Sequence, residues 1–335
     1  MSKTAYPFIV RLVLAAWVVL APLTAAASRV ELYQVTVPKP ARSEATQDSA
    51  FQSALGIVLV RVTGRRTAGE DAVFAPLMAE ARRYVQQYRA TPDNQFWVAF
   101  DGNAINRWLA QNGQPIWGRD RPTTLLWLAI PAAGSQGATV AKSDDSSDLK
   151  AAIDAEAAVR GIPVRWPTAA ELQAHRIDYT AVLTSPNATL MELGQRLGAE
   201  AVLIGRPAMS GGAATLRWAH QFQDRTNEFA GTIEGIDGAA DLYAGLFAAS
   251  GAPTPVDIEV AGLADVTAYA KVQTYLESLT FVLHVSVRSV NADRALFRLT
   301  VRGGTNALQR ALSVNPSLES LPATDASVLR FHLRQ

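Results

Sequence analysis

The sequence predicts an α+β protein built from small α/β units in series and closed by a ferredoxin-like βαββαβ domain. Three observations carry that prediction. Segments that alternate every second residue are interleaved with amphipathic stretches of helical period. The apolar share is 49% against 18% charged, which is material for ordinary cores. Gly251-Ala252-Pro253-Thr254-Pro255 then breaks the chain before a final run in the order strand, helix, strand, strand, helix, strand.

The first 27 residues read as an address rather than as structure. Lys3 and Arg11 form a basic n-region, Leu12 to Leu20 an apolar h-region, and Ala25-Ala26-Ala27 an A-x-A cleavage site before Ser28. The apolar run is shorter than the ~20 residues a membrane span needs, and Pro22 follows it. The expectation is a soluble periplasmic protein with no integral membrane segment once the leader is removed. Beyond residue 27 the predicted units are 28–131, 132–253 and 254–335.

In the first unit, Val30 to Val37 alternates as a strand and stops at Pro38 and Pro40. Phe51, Ala54, Leu55, Val58, Leu59 and Val62 mark one face of a long helix, with Gly64 placed as its C′ glycine. Asp71 reads as the N-cap of a second helix, whose inner face carries Phe74, Leu77, Met78, Ala81, Val85 and Tyr88. Phe96 to Phe100 is a strand, and Asp101 caps a helix with Ile105, Trp108 and Leu109. Thr124 to Ile130 is a buried strand, and Gly134 to Asp148 a polar loop.

The middle unit alternates helix and strand and then becomes a meander. Leu149 to Arg160 is a helix ended by Gly161, Ile162 to Trp166 a strand, Ala188 to Leu197 a helix, and Ala201 to Gly205 a strand. Thr215 to Phe222 and Glu228 to Ile233 alternate as strands, and Leu242 to Ala249 closes as a helix. In the last unit the strands are Val256 to Val260, Phe281 to Val290, Ala295 to Val301 and Val328 to Leu333. Its helices are Val266 to Leu279, capped by Asp265, and Asn306 to Leu312.

Composition narrows the chemistry by exclusion. The chain has no cysteine, which removes thiol catalysis, Cys-based zinc sites and iron–sulfur clusters. Its formal charge is +1, and loss of Lys3 and Arg11 with the leader takes it to about −1, which argues against nucleic acid as a partner. No P-loop, dinucleotide fingerprint or Gly-x-Ser-x-Gly is present, so no cofactor is expected.

Four stretches carry a family resemblance: Leu32-Tyr33-Gln34-Val35, Val60-Arg61-Val62-Thr63-Gly64, Trp97-Val98-Ala99-Phe100-Asp101, and Pro115-Ile116-Trp117-Gly118-Arg119-Asp120-Arg121-Pro122 before Leu126-Trp127-Leu128-Ala129. Arg160-Gly161-Ile162-Pro163 and the split βαβ run add to it. With these the chain resembles the bacterial envelope proteins of domain-of-unknown-function family 2066. The resemblance implies a location and an architecture, and no activity.

Motifs for wall chemistry are incomplete. Ser147-x-x-Lys150 and Ser185-x-Asn187 have the form of two penicillin-binding motifs, but no Lys-Thr-Gly exists and Ser147 reads better as a helix cap. His175, His220, His284 and His332 share no local metal spacing, so no metal site is expected. Asp144, Asp145 and Asp148 read as a solvated loop rather than a calcium loop. Glu70, Glu80 and Asp101 stay open as the scattered carboxylates of a wall hydrolase, although cap and helix-start roles explain Glu70 and Asp101 more simply.

Trp117, Arg119 and Arg121 form the candidate binding site. From an extended strand the two guanidinium groups would point the same way beside an indole, suiting a carboxylate, a phosphate or a peptide. The competing expectation is a buried pair with Asp101 or Asp120 that only locks the strand. The reading as a whole is a non-enzymatic periplasmic adaptor or accessory factor in envelope assembly, with a protein or peptidoglycan as partner. A peptidoglycan-binding module or hydrolase and a small-solute binder are the alternatives.

Overall fold

The computed structural model describes residues 30–334, apart from 41–42, 120, 133–136, 224, 280, 314, 316 and 323–327. The expected leader therefore lies outside the described residues, as does part of the polar loop after residue 132. The class is α+β, with three sheets in chain order.

The first sheet holds β1 (Gln34–Pro38), β2 (Val85–Ala90) and β3 (Gln95–Phe100), antiparallel with β3 in the centre. Between β1 and β2 run α1 (Glu44–Thr63) and the short α2 (Ala75–Ala79); α3 (Gly102–Gln111) follows β3. Ser43 and Thr46 close a capping box at the start of α1, and the predicted stripe from Phe51 to Val62 is buried against the sheet.

At the other end of α1, Gly64 takes φ 74° and its N–H bonds the Val60 carbonyl. A Cβ there would run into Ala244 Cβ and approach Trp117. We expect Gly64→Ala to cost about 2–3 kcal/mol, from left-handed strain plus overpacking, read as a lower urea midpoint.

The predicted helix after Asp71 breaks up. Asp71 does cap, but a 3-10 turn over Ala72–Phe74 leads only to α2, and a second over Ala81–Tyr84 delivers the chain into β2. Phe74, Leu77 and Ala81 are buried as the period requires, whereas Tyr88 is on a strand and half-exposed. Strand β3 needs a second antiparallel neighbour, and that tertiary demand overrides the helical period.

The second sheet takes β4 (Thr124–Ile130), β5 (Thr139–Val140), β6 (Val164–Arg165), β7 (Ala201–Ser210), β8 (Ala213–Phe222) and β9 (Arg225–Ala230). The order is β5-β4-β7-β8-β9, with β6 also beside β4. Strand β4 runs parallel to β7, so residues Thr124–Ile130 belong to the second sheet.

Helices α4 (Asp148–Arg160) and α8 (Glu234–Phe247) supply side chains to the core on one face. From α6 (Tyr179–Thr184) and α7 (Asn187–Arg196) come those on the other, with α5 (Ala169–His175) alongside. Covered on both sides, β4 is a continuous apolar run rather than an alternating one. Gly235 lets α8 approach the Trp218 ring, where a Cβ would sit 2.5 Å from it.

The third unit contains β10 (Pro253–Ala261), α9 (Val266–Ser278), β11 (Val282–Asn291), β12 (Arg294–Arg302), α10 (Gly304–Ser313), β13 (Leu318–Leu321) and β14 (Val328–Leu333). The predicted βαββαβ order is present with one addition. Strand β13, not foreseen, takes the sheet edge, and β14 turns back between it and β10, parallel to β10.

Candidate functional site

Residues 116–119 and 121–122 lie between the first two units. Ile116 and Ala249 exchange both backbone hydrogen bonds, and the Trp117 N–H bonds the Val62 carbonyl at 2.6 Å. This fixes Trp117 beside the end of α1, fully buried and near Tyr243 of α8. The segment bends at Arg119 instead of staying extended. As a result Arg119 is exposed and Arg121 is buried, so the expected same-side pair does not form.

Arg121 lies over the Trp117 ring, with its guanidinium carbon 3.7 Å from the ring centroid. Its Nε donates to Gly118 O at 2.8 Å. Nη1 donates to Gly161 O at 2.8 Å and Arg160 O at 3.2 Å, and Nη2 to Arg61 O at 2.6 Å and Trp117 O at 3.0 Å. Among the described residues its partners are therefore backbone carbonyls of two helix ends and of its own loop, and not the carboxylate of Asp101. Asp101 caps α3 by accepting from Ala104 N–H, and Asp120 lies outside the described residues.

Two more arginines complete this junction. Arg61 donates to Ala158 O at 2.7 Å, Gln34 O at 2.8 Å and Glu31 O at 3.0 Å. Arg160, with no exposed surface, reaches Gly64 O, Asp237 and Asp241. The C-termini of α1 and α4 thus meet end to end, and three cations answer their orphan carbonyls and negative dipole ends. Burial lowers Arg61 to about 10 and Arg121 to about 9, so both stay charged at neutral pH. The sequence signal for these residues was available: Arg61 and Arg160 both sit in the last turn before a C′ glycine.

Below the junction opens a cleft of about 2030 Å³ with walls from all three units. Tyr33, Asn103 and Asn106 belong to the first wall, Glu192 and Gln221 to the second, Asn315 and Glu319 to the third. Arg119 and the edge of Arg121 also line it. The Tyr33 hydroxyl donates to Asn106 Oδ1 at 2.9 Å, leaving the Asn106 amide N–H groups for something else. Burial pushes the Tyr33 phenol up, while that bond and the charges of Arg119 and Arg121 pull the other way.

A second buried polar group was missed in the sequence. Tyr243 OH lies 2.9 Å from both Thr124 Oγ1 and His220 Nε2, and all three residues are buried. His220 Nδ1 has no partner. The tautomer protonated on Nε2 satisfies every donor, giving the chain His220 to Tyr243 to Thr124 to Pro122 O, the last at 3.3 Å. Burial lowers His220 to about 4 and raises Tyr243.

The other candidate groups have local duties. Ser147 accepts from Lys150 N–H, while Lys150 Nζ turns to Asp154 at 2.8 Å, so they form no nucleophile–base pair. Asn187 accepts from Arg206, Glu80 pairs with Arg83, and Asp144 and Asp145 pair with Lys142. Glu70 is exposed.

A family model described as domain of unknown function (DUF8605) matches residues 26–118, the stretch of the first unit. The expected resemblance to family 2066 is therefore corrected, because the matching model is a different one. The residues that suggested it, Trp117 and Arg121 foremost, serve packing and helix ends, needs that do not single out one family. No curated protein and no solved structure matches the chain.

Proposed function

We propose that the chain is exported by its leader to the periplasm and acts there as a non-enzymatic adaptor in cell-envelope assembly. In this reading the three-unit cleft holds a segment of a protein partner. The observation that carries it is the cleft itself. At about 2030 Å³ it exceeds the ~300–1,000 Å³ of small-molecule pockets, so a polymer segment fits better than a small solute. Its walls present side-chain amides, from Asn103, Asn106, Gln195, Gln221 and Asn315, that match the alternating donors and acceptors of an extended backbone. Arg61 bonds the Glu31 and Gln34 carbonyls and Arg121 the Gly118 carbonyl, so the junction holds three residues of the lining in place before a partner arrives. Among the described residues no helix is long and apolar enough to cross a membrane.

The absence of native cysteine permits one experiment on both location and occupancy. Asn103→Cys places a thiol on the cleft wall, and Met209→Cys places one on an exposed surface outside it. A membrane-impermeant maleimide applied to cells with a permeabilised outer membrane should label Met209→Cys at the rate seen with pure protein. It should label Asn103→Cys several-fold more slowly in cells than in pure protein. Labelling of neither until the inner membrane is broken would refute the location. Equal rates for Asn103→Cys in cells and in isolation would refute an occupied cleft.

A further inference from the structure

Strand β11 differs from the other strands that border the three sheets. β1, β2, β5, β6, β9 and β13 are two to six residues long, and all but β5 carry a proline or a charge, such as Pro38, Arg89 and Glu319. Short length, proline and charge keep a sheet edge from pairing with other chains. β11 has ten residues, and Arg288 is the one arginine, lysine or carboxylate among them. Among the described residues no strand pairs with its outer side. Leu283, Val287 and Val290 are 50%, 41% and 58% exposed. The Leu263 N–H bonds the Asp293 carbonyl at 2.8 Å, which brings the start of α9 to the β11–β12 turn, and there Val266 is 81% exposed. Apolar side chains and unpaired backbone groups thus share one border, the mark of an interaction surface.

The pattern of the strand says what it pairs with. Val282, Val285, Val287 and Val290 stand opposite Val301, Leu299, Phe297 and Ala295, so they lie on the side of the third core. Two bulges interrupt the ladder. Leu283 is the extra residue before His284, which faces Thr300, and Arg288 the extra residue before Ser289, which faces Leu296. Both features are symmetric about Ser286. The valines fall one and four residues to either side of it, and the bulge pairs Leu283–His284 and Arg288–Ser289 two and three residues to either side. A second β11 laid antiparallel with Ser286 at the centre therefore sets Val285 against Val287 of the partner subunit and Val282 against Val290 of the partner subunit. Bulge meets bulge, and Arg288 meets His284 of the partner subunit instead of a second arginine. A slip of one residue would set the valines against the opposite face.

We propose that β11 is a homodimer interface, through which two copies join their five-stranded sheets into one continuous sheet about a two-fold axis at Ser286. The axis stands perpendicular to the sheet, so the helices of both copies cover the same side. Ladder hydrogen bonds and the cross-strand valine pairs, each present twice, hold the contact. The dimer carries two clefts and can engage a partner bivalently.

Sedimentation equilibrium of the chain, purified as the cell processes it, should show a concentration-dependent dimer. Val287→Lys should weaken dimerisation about tenfold or more while leaving the far-UV circular dichroism spectrum unchanged, because position 287 is half-exposed in the single copy. Val287→Thr keeps the β-branch and should retain part of the affinity. Met209→Lys, at an exposed position on β7, should have no effect. The register is tested by disulfide formation, which in a chain without native cysteine can only be intermolecular. Ser286→Cys faces its own copy across the axis, within disulfide reach, and should cross-link under mild oxidation. Ser289→Cys faces Leu283 of the partner subunit and should cross-link several-fold more slowly.

A monomer at every concentration up to the solubility limit overturns the proposal. So does a dimer that Val287→Lys leaves intact, or equal cross-linking from positions 286 and 289, since either places the contact elsewhere.

Discussion

Arg121→Ala should destabilise the protein by about 4 kcal/mol or more, whereas Arg119→Ala, two residues away, should change stability by less than ~0.5 kcal/mol. Arg121 makes five hydrogen bonds to buried carbonyls, drawn from the last turns of α1 and α4 and from its own loop. Truncation removes the cation and leaves carbonyls of buried residues without their donor, which is the expensive way to lose a hydrogen bond. Arg121→Lys should recover little, because an ammonium has three donors at one point and these acceptors are spread around a planar fork. Urea denaturation of the three variants checks this. Equal, small effects at positions 119 and 121 would mean that the junction is not held as described.

Acidification should cost about 3 kcal/mol between neutral pH and pH 4 through His220 alone. In the native state this imidazole is buried with a pKa lowered to about 4, against about 6.5 in the unfolded chain. Above pH 6.5 both states are neutral there and the group contributes no pH dependence. As pH falls from 6.5 the unfolded chain gains a proton that the native state refuses, so stability drops at about 1.4 kcal/mol per unit. The fall ends near pH 4, where the native ring is protonated as well. His220→Gln keeps a donor for Tyr243 and removes the titration. Its unfolding free energy should lie below the native value at pH 7 and converge on it or cross it by pH 4.5. Two parallel pH profiles would exclude His220 as the source.

The fold was largely legible because its helices and strands satisfy local rules. Ser147 accepts from Lys150 N–H as a cap, Asp101 and Asp265 cap α3 and α9, and Gly64 and Gly161 end α1 and α4 in the left-handed region. What failed required knowledge of neighbours. Tyr88 follows a helical period yet lies on β2, since β3 must be paired on both sides. Strand β13 has one buried side chain, Leu318, and so carries no alternation to read.

The site was legible in part. Trp117, Arg119 and Arg121 do mark the place where the units meet, but extended geometry was the wrong premise. The bend at Arg119 separates a packing cation from a free one. Nothing local announced that Arg121 would bond carbonyls from residues 61 and 160, because those helix ends are brought together only by the tertiary fold. Thr124, His220 and Tyr243 were unreadable as a group for the same reason. They come from β4, β8 and α8, and converge only inside the second core.

The most direct test of the cleft as a partner site is photo-cross-linking in cells from a benzoyl-phenylalanine placed at Asn106. The account predicts a discrete protein adduct, with no such adduct from the same probe at Met209. Equal capture from Met209 would contradict it, as would the absence of any protein adduct from Asn106.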